Sequence, residues 1–189
     1  MKELTDYSGD FIPNVRFQDF SKDALVRLLV AACHDYIGID NLWLNTIRRR
    51  FGEEVAFDCS REVWETGWLR EAQRSCRAMN IFGNDIAALL KYFQIDIGCG
   101  AMFDITCELP SPDLGYLTVN QCWILDKMER LDIPEVRKAI KLASEELDVP
   151  LFQKTASYFN PRIKMRPLKL PPRQSSDESA CRWEVKLEE

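Results

Sequence analysis

Asp40 and Trp43 stand one helical turn apart, so on a helix they face the same way, and Glu71 on the next helical segment can face them. A carboxylate beside an indole in a cleft has a raised pKa. It can act as a general acid or base, or it can orient a ligand's amine. The plainer alternative is a buried aspartate that satisfies a helix terminus or pairs with an arginine such as Arg74. Cys122 ends one expected strand and Cys181 begins another, and in an antiparallel sheet two such ends can approach. Paired thiolates bind soft metals or serve as nucleophile and resolving thiol. A structural zinc site would need further ligands, from Glu145, Glu146 or Asp126. The alternative is that both are small core residues, since free cysteine is among the most buried residue types.

His34, the single histidine, lies between Cys33 and Asp35. Successive helical residues point ~100° apart, so Cys33 and His34 do not converge as a catalytic pair, and a partly exposed helix histidine is the simpler reading. No second motif supports a haem ligand. Trp43, Trp64, Trp68, Trp123 and Trp183 can wall an apolar pocket or simply fill a core. Gly98-Cys99-Gly100 is too short for a phosphate loop, and no GxGxxG or Walker pattern occurs, which disfavours nucleotide binding.

These residues are carried by a helical first half. Residues 1–20 read as an irregular arm anchored by Tyr7, Phe11, Phe17 and Phe20, and Ser21 is a good N-cap. Leu25, Leu28, Leu29, Ala32, Cys33, Tyr36 and Ile37 recur at helical spacing, continuing in phase to Arg50. This predicts one helix over 22–50, loosened at Gly38, or two helices. Asp58 or Ser60 opens the next, with Val63, Trp64, Trp68, Ala72, Cys76 and Met79 on its apolar face. Asn84 caps a short, almost wholly apolar third helix.

The period then changes to two. Phe103, Ile105, Cys107 and Leu109 alternate with polar residues, Pro110 to Asp113 turn the chain, and Tyr116 to Cys122 returns as a partner strand. Asp132 to Glu135 starts a helix with an acidic cap and an early proline, which breaks at Pro150. A short helix to Phe159, a strand from Ile163 with a bulge near Pro167, and a last strand from Cys181 to Leu187 follow. The fold class is α+β: N-terminal helices, then a strand-strand-helix-strand-strand unit forming a small antiparallel sheet. The 189 residues form a single domain, with a helical part over 1–97 and a sheet with helices over 98–189.

Composition narrows the function classes. Lys+Arg is 25 against Asp+Glu 30, a net charge of −5, so a nucleic-acid partner is not expected; Arg48-Arg49-Arg50 reads as a helix end. The longest apolar run, Leu28 to Cys33, is far short of the ~20 residues that span a bilayer, and Met1 to Asp10 lacks a signal peptide's pattern. The expected setting is cytoplasmic, without a membrane. The seven cysteines include no CxxC pair, which disfavours a disulfide framework or a zinc ribbon. The sequence specifies no cofactor.

The motif order resembles that of a family of prokaryotic cytosolic proteins of unassigned activity. It is similar to L-2-amino-thiazoline-4-carboxylic acid hydrolase-like proteins and, more loosely, to 4-vinyl reductase-type ligand-binding domains. The N-terminal match is Asp40-Asn41-Leu42-Trp43, then Arg50 to Ala56, Val63-Trp64 and Glu71-Ala72. The C-terminal match is Asn160 to Ile163, Pro171-Pro172 and Cys181 to Glu184. The resemblance implies a helical part followed by a small antiparallel sheet packed with helices. Relatives often carry an acidic residue in place of Arg48, and some carry cysteines in place of Pro167 and Leu170, so a metal site carried over by analogy would lack those ligands.

Two functional expectations follow. The first is a small-molecule-binding protein, hydrolase-like if it is an enzyme, with its pocket between helices and sheet. Cys122 would be the nucleophile, Asp40 and Glu71 the acid and base, and Trp43, Trp64, Cys181 and Trp183 the ligand contacts, with no metal. The second is a non-catalytic module that closes a homodimer through the apolar third helix and the aromatic arm.

Overall fold

The computed structural model describes residues 3–98 and 102–188; Cys99 and Gly100 of the glycine-flanked motif lie outside them. Ser21 caps the first helix, accepting the Ala24 N–H at 3.3 Å. Helix α1 then runs unbroken over Lys22–Phe51, straight through Gly38. Only Cys33 and Ile37 of α1 are buried, whereas Leu28 and Leu29 of the expected apolar face are exposed. Helix α2 covers Glu53–Ala78. It begins five residues before the Asp58 expected from sequence, because Gly52, at φ 93°, φ-space that favours glycine, turns the chain and lets α2 start at once. Glu53 and Glu54 then sit at the positive end of α2, and Glu53 also pairs with Arg48 at 2.5 Å.

Helix α3, Ile86–Ile95, is capped by Asp85, which accepts the Ala88 N–H at 2.8 Å; the cap is one residue beyond the expected Asn84. Its apolar surface is not free for a partner. Ile86, Leu89, Leu90, Tyr92 and Phe93 are all buried in this chain's own core.

Strands β1 (Phe103–Ser111) and β2 (Leu114–Cys122) form the expected hairpin. A helix absent from the sequence reading follows directly, α4 (Trp123–Glu129), with the Cys122 thiol as its N-terminal acceptor. Helix α5, Pro134–Ala143, starts with Pro134 in its first turn. Asp132 is not its cap; it takes a positive φ of 48° and Ile133 holds the cap position. The chain does not break at Pro150. Ser144–Asp148 form one π-helical turn that leads into α6, Val149–Phe159. Val149 N–H reaches back five residues to the Ser144 carbonyl. Pro150 has no N–H with which to resume the ordinary ladder at that point, so the widened turn leaves it without a lost bond. Strands β3 (Ile163–Lys169, with a register shift between Pro167 and Lys169) and β4 (Cys181–Leu187) complete the chain.

The four strands form one antiparallel sheet in the order β1-β2-β4-β3, as the α+β reading expects. One face is covered by helices and the other is polar. Leu117 pairs with Cys107 on one side and Trp183 on the other. With Val185, Ile163 and Met165 it forms the inner face against α3 and α6. Gly115 allows the close approach of α3, since a Cβ there would meet Ile86 at 2.9 Å and Leu90 at 3.0 Å. The long β3–β4 connection is tied to α4 by buried Arg173, which binds Glu129 at 2.7 Å and also pairs with Asp126.

Candidate functional site

The helical layer and the inner sheet face do not close completely. Between them lies a cavity of about 340 Å³, a size typical of small-molecule sites. Helix α1 contributes Tyr36, Ile37 and Asp40; α2 contributes Trp64, Trp68 and Glu71. Asp96 enters just after α3, Cys122, Cys181 and Trp183 come from the sheet, and Ser144 and Asp148 come from the π-turn. Helical spacing explains the first two sets: 36, 37 and 40, and 64, 68 and 71, each share one helix face.

Its aromatic wall runs from solvent to the sheet. Tyr36 is 42% exposed and meets Trp64 edge-on at 6.3 Å; Trp64 meets Trp68 at 6.0 Å. Trp68 meets Phe152 at 5.4 Å, and Phe152 stacks on fully buried Trp183 at 4.4 Å. The Trp68 indole N–H is buried without a hydrogen-bond acceptor in bonding geometry. It lies near enough to the Tyr92 hydroxyl to influence it electrostatically.

Carboxyl groups supply most of the polarity. Glu71 and Asp96 act on each other: the Asp96 charge raises Glu71, and a protonated Glu71 stabilises ionised Asp96. Glu71 also receives the Tyr36 hydroxyl at 3.4 Å and the Ile97 N–H. Asp96 receives the Tyr92 hydroxyl at 3.0 Å and the Gly98 N–H at 2.8 Å. Burial, then the Asp96 charge, pushes Glu71 up to about 7. Burial raises Asp96 too, against its three donors. Asp40 is raised by burial, opposed by the indole N–H groups of Trp43, at 3.1 Å, and Trp64. Burial also raises the Tyr36 hydroxyl to about 12, helped by the Glu71 charge.

A second polar point lies at the π-turn. Asp148 is deeply enclosed, and burial raises it to about 7 against a hydrogen bond from Ser144. It is among the residues that line the cavity. Its charge is felt by the thiols of Cys122 and Cys181. Among the described residues lining the cavity, none is lysine, arginine or histidine. Nor does any described ion pair involve Asp40, Glu71, Asp96 or Asp148.

The structure brings together Asp40, Glu71, Trp64, Trp183, Cys122 and Cys181 on one cavity. Trp43 does not line it; Trp43 stands behind Asp40 and holds that carboxyl. Arg74 is exposed and makes no pair with Asp40. Cys122 and Cys181 both line the cavity, but the register sets Cys181 opposite Val119 and Cys122 opposite Phe103. Burial raises both, Cys181 to about 12. The Cys122 sulfur accepts the Leu125 N–H at 3.5 Å, and the Cys181 sulfur accepts the Trp183 indole N–H at 3.2 Å. A nucleophilic cysteine needs a stabilised thiolate, and burial at Cys122 works against the charged form. The expected third ligands are elsewhere. Glu145 and Glu146 are exposed, and Asp126 is engaged by Arg173. Among the described residues no three His, Cys, Asp or Glu side chains are grouped to hold a metal ion. His34 is exposed, edge-on to Trp123 at 6.1 Å.

Asp96 and Asp148 are the residues sequence reasoning missed. Each is bracketed by apolar neighbours, Ile95-Asp96-Ile97 and Leu147-Asp148-Val149. A lone acid between large apolar residues is the signal that could have found them.

The raised carboxyls make stability pH-dependent in a definite direction. Glu71 and Asp148 hold their protons to about 7 in the folded chain and release them near 4 when unfolded. Their contribution is complete below the ordinary carboxylate range and is lost as pH rises through about 7. The melting temperature should therefore be higher at pH 5.5 than at pH 8, by roughly 3 °C or more, since ~1 kcal/mol moves a domain of this size by about 2–4 °C. Glu71→Gln and Asp148→Asn should each raise it at pH 8 and flatten the slope. A wild-type slope of the opposite sign, unaltered in both variants, would contradict the assignment.

Searches among curated proteins and among solved structures each found no match. No described helix is long and apolar enough to cross a membrane. A family model does match, over residues 18–187, from the end of the arm through the last strand. The chain therefore belongs to the family described as a family of unknown function, DUF6125.

Proposed function

We propose that this protein binds a small organic molecule in the cavity between its helices and sheet. The observation that carries the reading is the cavity itself, about 340 Å³, walled by aromatic and aliphatic side chains with carboxyl groups converging on it. An interior normally packs to crystal-like density, and a void of this size forfeits contacts unless something fills it. In the hydrolase-like form of the reading, the Glu71–Asp96 pair is the general acid–base, because a carboxyl near 7 can both give and take a proton at neutral pH. Cys122 and Cys181 then serve as wall.

An environment-sensitive apolar fluorophore tests the reading. It should bind the wild-type chain with a blue-shifted emission and with one-to-one stoichiometry. Ala143→Phe, which places a ring into the cavity from the end of α5, should abolish that binding while leaving the circular dichroism unchanged. Absence of binding to the wild type, or equal binding to the plugged variant, would refute it.

A homodimeric module remains as a second reading, on one specific observation. Helix α1 exposes Leu29 (62%), Ile39 (65%), Leu42 (70%) and Phe51 (61%), an unusual load of large apolar residues for one solvated helix. Sedimentation velocity should then give a dimer that Leu42→Asp dissociates. A monomer at all concentrations would rule this reading out, and either result is compatible with an occupied cavity.

A further inference from the structure

We propose that the cavity's ligand is an organic cation, with an ammonium-like head held among Asp40, Glu71 and Asp96 and an apolar body lying along the aromatic wall towards Trp183. The inference rests on the cavity being a ligand site and names the chemical class of what fills it.

The argument starts from charge. Carboxyl groups are seldom placed in an apolar wall, because the ionised form loses its hydration there and needs a compensating cation. Helices α1 and α2 and the turn after α3 nevertheless each send one to the same region: Asp40, Glu71 and Asp96. The chain supplies no compensation, since no lysine, arginine or histidine lies among the described lining residues. The donors present are the Tyr36 and Tyr92 hydroxyls, the Trp43 and Trp64 indoles and two backbone N–H groups. They orient the acids without neutralising them. A phosphate or carboxylate ligand would enter a field of its own sign. A neutral hydrocarbon would leave the acids as they are and give them no role. An ammonium supplies the missing counter-charge and the N–H donors that carboxylate oxygens accept.

The rings give an independent reason. Tyr36, Trp64 and Trp68 follow one another edge to face at 6.3 and 6.0 Å beside the same acids. Aromatic faces attract cations through their quadrupole, and clusters of such rings recur where organic ammonium groups are recognised. Beyond them Phe152 stacks on Trp183, and these ring faces suit a hydrocarbon or aromatic body.

Binding should also draw a proton out of the site. Beside Asp96 and Tyr36, and within the field of Tyr92, Glu71 is held towards its protonated form. An entering cation favours the fully ionised pair.

An isosteric series tests the proposal. Tryptamine, 3-propylindole and indole-3-propionate share a ring and chain length and differ in end-group charge. Each competes at pH 7.5 with the apolar fluorophore on the wild type and on Glu71→Gln/Asp96→Asn. Tryptamine should displace the fluorophore about tenfold more tightly, or better, than either analogue. The double variant should lose the preference, each competition being referred to the fluorophore affinity measured on that same variant. The cation assignment falls if the neutral or acidic analogue competes as well as the amine, if the amine fails to compete, or if the preference survives in the double variant. Failure of the fluorophore itself to bind the wild type would instead remove the cavity reading on which the assignment rests.

Discussion

The rest of the structure depends on an uncompensated electrostatic cost. Four carboxyl groups, Asp40, Glu71, Asp96 and Asp148, line an apolar cavity without a basic side chain among the described residues around it. Ionising them there is unfavourable, so burial raises all four, Glu71 and Asp148 to about 7. The tyrosine hydroxyls, indole N–H groups and backbone amides around them lower that cost only in part. Shifts of this kind cluster at functional sites.

The architecture is arranged around that cavity. The sheet supplies a flat inner face from Cys107, Leu117 and Trp183 in register, and α3 seals one side by pressing onto Gly115. Where α1 and α2 cross the remaining opening, each turns an acid and aromatic rings inward at helical spacing. The π-turn at Ser144–Asp148 makes the last contribution, since Ser144 and Asp148 share its inner face and the Ser144 hydroxyl serves the buried carboxyl. Arg173 shows the contrast. It too is buried with acids, but Glu129 and Asp126 each give it a partner inside the chain. That cluster ties a loop to α4, whereas none of the described ion pairs involves a cavity acid.

Much of this was legible in the residue pattern. Period-two alternation marked β1, β2 and β4 closely, and Ser21 marked the start of α1. The spacing of Asp40 and Glu71 identified two cavity acids, and strand alternation placed Cys181 and Trp183 on the inner face. The misses have physical causes. Gly52 starts α2 through a backbone conformation, not through a capping side chain, so Asp58 drew attention instead. Pro150 reads as a helix breaker, yet a π-turn absorbs it. Trp43 has the spacing of a ligand contact but spends its N–H on Asp40. The position of Cys122 was readable, but its protonation was not, because burial by distant segments decides it.

The central claim is that burial in the cavity raises the carboxyls of Glu71 and Asp148 to about 7. Carboxyl ¹³C chemical shifts of aspartate and glutamate, followed by NMR from pH 3 to 9 and assigned with Glu71→Gln and Asp148→Asn, test it most directly. The account predicts that the Glu71 and Asp148 resonances titrate near 7, far above the exposed carboxylates. Midpoints near 4 for both, within the ordinary carboxylate range, would contradict it.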